Sequence, residues 1–327
     1  GYANRGTIWV TAPGSTNAWD ELWNATYPVN GSIALAAGEY DIALLHITNN
    51  AILECQGDTE AINAASGGTA GDPHGSGVTI NADNVIIDEG SALSANYLGF
   101  IRGEGPGASG SKTVGASHGG GGLRYGLLSE PTALGSGGGY SALGSRGGGA
   151  IKLQVSDTVT VNGSIVAKGG GGQTYDSGGG SGGSIWIISD TLAGTGSVSA
   201  DGGPAQRWAT GGAGGRVAVY FSHNTSSLPA RSSVIGGTGT TNGEDGTMVW
   251  SPVGGYTTEN VIPQAQCVQG AGGNVTISFK GKDPGDSVNG VYTGVIPVVP
   301  DVIVNDSDAT FYDGTVAWED DTLSGYD

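Results

Sequence analysis

Two aspartates occupy the same place in successive segments of this sequence. Asp157 and Asp190 each lie in a Ser-Asp-Thr tripeptide, 33 residues apart (190 − 157). If the two segments are neighbouring parallel strands, the carboxylates lie about 4.8 Å apart. Like charges this close repel, so they either share a cation, for which we predict calcium, or accept hydrogen bonds within their own turns. Both interpretations are open at this stage, and no other cofactor is predicted.

The residue types that acid–base or nucleophilic catalysis needs do not come together in this sequence. Equivalent outward positions of three segments hold Lys152, Trp186 and Ala218, which cannot transfer protons as a set. The four histidines are scattered, and none belongs to a His-Glu-x-x-His motif. The acidic residues near the C-terminus do not follow the spacing of an EF-hand. We therefore predict that the protein is not an enzyme.

These positions belong to a repeat in the middle of the chain. Apolar residues recur at spacings of 34, 32 and 31 residues (185 − 151, 217 − 185, 248 − 217), and they alternate with outward residues at period 2, as in strands. The two apolar columns are Ile151, Ile185, Val217 and Met248, and, two positions later, Leu153, Ile187, Val219 and Trp250. A fixed period of this length is typical of a solenoid. The sequence predicts an all-β fold, a parallel β-helix, with antiparallel hairpins joined by flexible loops as the alternative.

Glycine accounts for 65 of the 327 residues, about three times its usual share. The glycines form tracts between the predicted strands, including a long excursion over 101–149. Such tracts are either mobile loops or extended strands like polyproline II, whose backbones approach closely because glycine has no Cβ. We favour packed tracts.

The composition changes near residue 256, where the glycine tracts end and proline and aspartate become frequent. We predict two domains, a glycine-rich β-helix over 1–255 and a small β-sandwich-like module over 256–327. Four strands are predicted in the module, over 274–280, 290–296, 301–304 and 315–318. Because a closed sandwich needs more strands, the module has an open edge that a neighbouring subunit can complete.

Charge and cysteine content limit the partners of the chain. The net charge is −18, which argues against nucleic acid and anionic membrane surfaces. No stretch of about 18 apolar residues exists, so no membrane span is predicted. Cys55 and Cys267 follow no zinc spacing; each is a buried thiol or they pair in a disulfide, within or between chains.

Two terminal segments are candidates for strand exchange between subunits. An unpaired strand edge is a template for a strand from another chain, and a head-to-tail contact of this kind propagates into an open filament. The residues predicted to act in assembly are Thr7, Ile8, Trp9 and Val10 near the N-terminus, and Thr315, Val316, Ala317 and Trp318 near the C-terminus.

The repeat motifs resemble a known group of proteins. Gly-Gly-Ala-Ile-Lys-Leu (148–153), Gly-Gly-Ser-Ile-Trp-Ile (182–187) and Gly-Gly-Arg-Val-Ala-Val (214–219) are similar to the glycine-rich right-handed β-helix of large secreted microbial surface or adhesin-like proteins. The segment 274–286 resembles the immunoglobulin-like modules that follow such regions, and the glycine tracts also resemble the polyglycine sandwich of phage tail-tip adhesins.

The resemblance implies a secreted protein at the cell surface that forms a filament or sheath from copies of itself. Its alternative is a carbohydrate-binding or carbohydrate-degrading β-helix, or a phage-type adhesin, that contacts surface glycans through exposed aromatic residues such as Trp186 and Trp208.

Overall fold

The structure is a computed structural model that describes residues 7–11, 32–139, 145–172, 176–252, 265–269, 275–279, 293–295 and 315–317. The chain separates into two compact units, Gly1–Pro252 and Val253–Asp327. Among the described residues the fold is all-β, and its helices are two short 3-10 turns, Ala64–Ser66 and Leu228–Arg231.

The first unit contains fifteen of the strands. They are β1 (Thr7–Thr11), β2 (Ser32–Leu35), β3 (Gly38–Asp41), β4 (Leu44–Thr48), β5 (Ile52–Cys55), β6 (Asp58–Ile62), β7 (His74–Ser76), β8 (Val78–Ile87), β9 (Ala92–Ser94), β10 (Ala150–Val161), β11 (Ser164–Val166), β12 (Ser184–Ala193), β13 (Ser197–Ser199), β14 (Arg216–Asn224) and β15 (Thr247–Pro252).

Eight of these strands form one sheet, which we call the first sheet. Neighbours pair in the order β1, β4, β8, β10, β12, β14 and β15, and β3 also pairs with β8. All of these pairings are parallel except that of β1 with β4. In β10 a register shift between Gln154 and Thr158 divides the strand into a first and a second half. β3 lies beside the first half of β8, and β4 lies beside its second half.

A second, five-stranded sheet contains β2, β5, β9, β11 and β13, all parallel. β5, β9, β11 and β13 each follow a strand of the first sheet after a short turn. The turn between β10 and β11, for example, consists of Asn162 and Gly163. The chain therefore passes alternately through two parallel sheets and returns from the second to the first by longer connections. β6 and β7 form a separate antiparallel pair within one such connection.

The apolar columns predicted from the repeat meet in the structure. Ile151 pairs with Ile185, and the column continues through Val217 to Met248. Ile151, Ile185 and Val217 are at most 1% exposed, as inward residues of a shared core should be. The predicted register is confirmed, and the alternative of successive antiparallel hairpins is wrong for these strands because they pair in parallel.

The glycine tracts lie beside this core as packed arms, over residues 168–172, 176–183, 201–215 and 235–246. Hydrogen bonds pass from arm to arm in a zigzag. The Gly180 N–H donates to the Gly170 carbonyl at 2.9 Å, and Gly203 donates to Gly180 at 2.8 Å. The zigzag continues from Gly212 to Gly203 at 2.9 Å and from Gly237 to Gly212 at 2.8 Å. The arms therefore satisfy their backbone groups against one another, and the alternative of mobile loops is wrong for them.

Close approach of the backbones explains why the arms consist of glycine. A Cβ on Gly212 would lie 2.0 Å from the Gly180 carbonyl oxygen, and a Cβ on Gly203 would lie 1.9 Å from that of Gly170. Neither contact can form, because the obstructing atoms belong to the main chain and cannot rotate away. Any side chain at these positions would force neighbouring arms apart.

The excursion before β10 covers the outward face of the first sheet near its later strands. The Tyr220 hydroxyl donates to the Ser129 carbonyl at 2.9 Å, and the Ser184 hydroxyl donates to the Ala133 carbonyl at 2.6 Å. Ala218, which points outward from β14, is fully buried there. The excursion therefore adds a third layer to this part of the molecule, which the repeat does not predict.

Four further strands are described in the second unit. They are β16 (Ala265–Gln269), β17 (Val275–Phe279), β18 (Thr293–Val295) and β19 (Thr315–Ala317). β16 pairs with β17 and β18 pairs with β19, both antiparallel. Three of these strands lie within the predicted ones, β16 was not predicted, and the predicted strand 301–304 lies outside the described residues.

Candidate functional site

Asp157 and Asp190 lie on the neighbouring strands β10 and β12, beside the register shift. Thr158 pairs with Thr191, so that the aspartates precede equivalent residues. The Thr158 hydroxyl donates to Asp157 Oδ1 at 3.1 Å, and the Thr191 hydroxyl donates to Asp190 Oδ2 at 3.4 Å. Each carboxylate therefore has a local hydrogen-bond donor in the residue that follows it.

The surroundings of Asp190 contain a histidine as well. His223 Nδ1 lies 3.8 Å from Asp190 Oδ2, and both side chains are exposed. Within the part of the chain that the structure describes, no three His, Cys, Asp or Glu residues are grouped so that they could hold a metal ion. Calcium takes about six to eight oxygen ligands. The calcium site at Asp157 and Asp190 stays a prediction, and it would need ligands besides these two side chains.

A buried polar cluster lies between the excursion and the first sheet. The fully buried His118 lies with Nδ1 2.8 Å from the Gly182 carbonyl oxygen. The Tyr125 ring packs between two imidazoles, with centroids 4.6 Å from His118 and 5.2 Å from His74. The Tyr125 hydroxyl donates to the Leu134 carbonyl at 2.6 Å. These contacts hold the excursion against the sheet.

Arg216 attaches the same cluster to β14. Arg216 is 6% exposed, and its guanidinium donates from Nε to the Tyr125 carbonyl at 2.9 Å and from Nη1 to the Thr247 hydroxyl at 3.0 Å. Burial, together with the positive charge of Arg216, lowers the pKa of His118 to about 3. At neutral pH His118 is therefore an uncharged imidazole that donates from Nδ1 to Gly182.

Sequence reasoning missed this cluster, because its members are far apart in the chain and belong to no motif. Burial raises the pKa of the Tyr125 hydroxyl, which is therefore not a ready proton donor. The Nε2 atom of His118 has no hydrogen-bond partner among the described residues and is closed off from solvent. Because these groups are buried and hold the excursion against the sheet, we interpret the cluster as a structural contact.

A polar groove of 920 Å³ runs along the turns between the two sheets. Asn49 and Asn50 at one end adopt left-handed backbone, with φ of 56° and 59°. The Asp88 carboxylate accepts from His46 Nε2 at 2.9 Å; burial alone would raise its pKa, but hydrogen bonds from Thr48 and His46 hold it below the usual value. The lining residues are Thr48, Asn49, Asn50, Asp88, Glu89, Asn162, Gly163, Thr195, Gly196, Ser197 and Arg231.

The two tryptophans that the sequence suggested for glycan contact, Trp186 and Trp208, differ in their exposure to solvent. The Lys152 ammonium lies 4.2 Å from the ring centroid of Trp186, which is only partly exposed. Trp208 is 75% exposed in the arm between β13 and β14. Only Trp208 therefore presents most of its ring to solvent.

The two cysteines lie in different units. Cys55 is fully buried in the core as a free thiol, and burial raises its pKa, with a smaller contribution from Glu54. Cys267 belongs to β16, and its side chain lies outside the described residues. The disulfide stays a prediction.

The candidate assembly segments have partners within their own chain. The segment containing Thr7, Ile8, Trp9 and Val10 is β1, which pairs with β4 and places Ile8 in the core at 1% exposure. Thr315, Val316 and Ala317 form β19, which pairs with β18, while Trp318 lies outside the described residues. Each strand uses one edge in this pairing, so donation through the other edge stays a prediction.

No helix in the described ranges has the length and apolar character needed to cross a membrane. No protein-family model, no curated protein and no solved structure matches this chain. The function is therefore inferred from the geometry of the described residues.

Proposed function

We propose that the chain is a secreted structural protein, a subunit that assembles with copies of itself into an extracellular surface filament or sheath. The observation that carries this proposal is the condition of the two ends of the first sheet. The residues within its apolar columns are buried. At the ends of the sheet, by contrast, Tyr40 on one side and Met248 and Trp250 on the other pack on the core but remain partly exposed. Solenoids that stay monomeric need polar capping repeats at their ends.

The first unit is a parallel β-helix in this proposal. The alternation between two parallel sheets supports that architecture, since β8, β10 and β12 of the first sheet are followed by β9, β11 and β13 of the second. Each such turn of the chain stacks on the next in both sheets at once. The two antiparallel pairs of the second unit support an immunoglobulin-like module, as the resemblance of segment 274–286 implies.

A structural role also agrees with the packed arms. Their hydrogen bonds and close contacts leave little freedom of movement, which suits a surface protein under mechanical stress. The net charge of −18 favours solubility outside the cell. The buried position of His118 and Tyr125 removes the most unusual titratable groups from contact with any substrate.

A second candidate function is glycan binding, and two observations favour it. The groove along the turns is lined by amide, carboxylate and hydroxyl groups, which hydrogen-bond sugar hydroxyls. Trp208 offers an exposed aromatic ring on which a sugar can stack. Trp208 is not among the residues that line the groove, so we rank this function second.

Electron microscopy of the purified protein over a range of concentrations tests the proposal. Uniform polymers that grow with concentration are expected if the chain is a filament subunit. Monomers that bind a glycan array, with binding abolished by Trp208→Ala, would instead favour the second function.

A further inference from the structure

At each end of the first sheet, one half of the sheet extends one strand further than the other half, and the two ends differ in which half is longer. At the N-terminal end, β1 adds a strand beside β4, which extends the second half of the sheet, while the outer edge of β3 in the first half has no partner among the described strands. At the C-terminal end, β15 adds a strand beside residues 216–221 of β14, which extends the first half. The second half of β14, His223 and Asn224, has no described strand beyond it.

We propose that these two ends form a joint between copies, in which β15 of one copy pairs with β3 of the next and β1 of that next copy lies beside the second half of β14. This inference rests on the proposed filament function and names its interface. β15 of one copy covers the first half of the sheet, and β1 of the next copy covers the second half. Together they complete one layer of the stack. Such a head-to-tail contact does not close on itself and propagates into a filament.

The side-chain columns continue across the joint with complementary volumes. The column of Ile151 begins at Gly38, through the pairing of Val78, and ends at Met248. The neighbouring column begins at Tyr40 and ends at Trp250. In the joint, Met248 of one copy therefore lies beside Gly38 of the next copy, which has no side chain.

The space at Gly38 agrees with this arrangement. A Cβ on Gly38 would meet no atom of the described residues within 4 Å, whereas a Cβ on most arm glycines would strike a main-chain oxygen. The open space is therefore available to a side chain from outside the chain. In the second column, Trp250 would pack on the Tyr40 ring, and aromatic pairs of this kind attract each other.

The main-chain groups at the two edges also match. On β15, the Thr247 N–H donates to the Gly215 carbonyl, in the direction of β14. Successive residues of a strand direct their main-chain groups to opposite edges, so the N–H and C=O groups of Met248 and Trp250 point away from β14. Gly38 N–H donates to Gly77, so the groups of Glu39 point outward in the same way. Donors and acceptors thus alternate in the parallel pattern across the joint.

No like charges oppose each other where the edges meet. Continuing the outward columns places Glu39 beside Val249 and Asp41 beside Ser251. Both carboxylates already accept from the Asn81 side-chain amide, at 2.7 Å each. The acidic surface of the chain therefore does not prevent this contact.

Cysteine cross-linking tests the joint directly. We would prepare Glu39→Cys and Val249→Cys as separate proteins, both with Cys267→Ser so that buried Cys55 is the only native thiol. In one copy β3 and β15 are five strand spacings apart, about 24 Å, which no disulfide spans. Mixing the two proteins under mild oxidation should therefore produce a reducible dimer only through contact between copies.

The matched control replaces Val249→Cys with Lys152→Cys, which lies on the same outward column but has strands on both sides. We expect no dimer with Glu39→Cys in that mixture. A second measurement compares Trp250→Glu with Trp208→Glu. The first should raise the concentration at which polymers form at least tenfold, while the second should leave it unchanged.

The outcomes separate this joint from the filament function. If polymers form but Glu39→Cys and Val249→Cys do not cross-link, and Trp250→Glu assembles like the parent, the joint is wrong and the filament function stands. Cross-linked dimers from a protein that never polymerises would support the joint and refute the filament. Absence of both polymers and cross-links overturns both.

Discussion

The apolar core and the glycine-rich arms follow the same repeat but are stabilised by different interactions. In the core, Ile185 and Ile187 are fully buried, and their columns remove apolar surface from water. In the arms, Gly203 and Gly212 have no side chains, and hydrogen bonds between main chains connect the layers. The same repeat therefore orders both regions. Side chains fill the space between layers in the core, whereas in the arms there is no room for them.

The difference indicates which changes each region can accept. A core side chain that loses a methyl group leaves a small cavity, for which the cost is moderate because the contacts that remain still bury apolar surface. Most arm glycines cannot gain any atom, because their neighbours are main-chain oxygens at fixed positions. Stability should therefore depend on side-chain polarity in the core and on the presence of any Cβ in the arms.

The largest effect is expected for Ile185→Asp in the core. A carboxyl group in this column would have no partner and no water, so we expect the free energy of unfolding to fall by about 5 kcal/mol or more, and the fold to be lost. Circular dichroism and urea unfolding measure this. The control is Gln154→Asp on the exposed outer face of β10, where the change should stay within about 0.5 kcal/mol. Equal stability of Ile185→Asp and parent would disprove the inward register.

The second-largest loss of stability is expected for Gly212→Ala in the arms. The new methyl would lie 2.0 Å from the Gly180 oxygen, so the arms must separate, at a cost of about 3 kcal/mol. Gly122→Ala is the matched control, because a Cβ there meets no described atom within 4 Å. That variant should be neutral or slightly more stable, since alanine restricts the unfolded chain. If urea midpoints show the two variants to be alike, close packing of the arms is refuted.

A pH-dependent effect is expected where the excursion meets the first sheet. The pKa of His118 is about 3 in the folded protein, below the value of about 6.5 in an unfolded chain. Below pH 6.5 the unfolded state therefore binds the extra proton, and stability falls as pH falls, by up to about 1.4 kcal/mol per pH unit until the folded pKa is reached.

His118→Gln can still donate to Gly182 but cannot be protonated in this range. We expect the variant to show a flatter dependence of unfolding free energy on pH between about pH 6 and 4.5. Carboxylates with lowered pKa, such as Asp201, contribute mainly below that window. Identical pH profiles for the parent and the variant would contradict a buried neutral His118.

The smallest effect is expected on the outer face, which belongs to neither the core nor the arms. Lys152→Ala removes the ammonium that lies 4.2 Å from the Trp186 ring centroid, and we expect a loss of about 0.5–1 kcal/mol. Lys112→Ala is the control, because the ion pair of this exposed lysine with the partly buried Asp176 is long, at 4.0 Å, and should contribute little. A loss for Lys112→Ala as large as that for Lys152→Ala would argue against a specific cation–π contact.

The sequence predicted the parts of the fold that depend on periodicity. The pairing of Ile151 with Ile185 and Val217 follows from spacing, because inward residues at a fixed period must lie on the same face. Packing of the glycine tracts could also be predicted, since ordered tracts need close backbone contact. The aligned positions of Asp157 and Asp190 follow from the same register.

The parts that depend on contacts between distant segments could not be predicted. Nothing in the residues around Tyr125 indicates that its ring packs between His74 and His118, or that Arg216 joins them from β14. The antiparallel pairing of β1 with β4 is likewise outside the repeat, because it reverses the direction that the stack would give. Both features involve single segments that fold back onto the regular part.

The contacts of the arm glycines also restrict how this protein can evolve. Every single-nucleotide change of a glycine codon that alters the residue introduces a Cβ, and at positions such as Gly180 and Gly212 that atom has no space. Gradual change by point mutation is therefore blocked at such positions. Duplication or loss of one complete repeat, with strand, turn and arm together, preserves every contact, so we expect related proteins to differ in the number of repeats more than in the sequence of their arms.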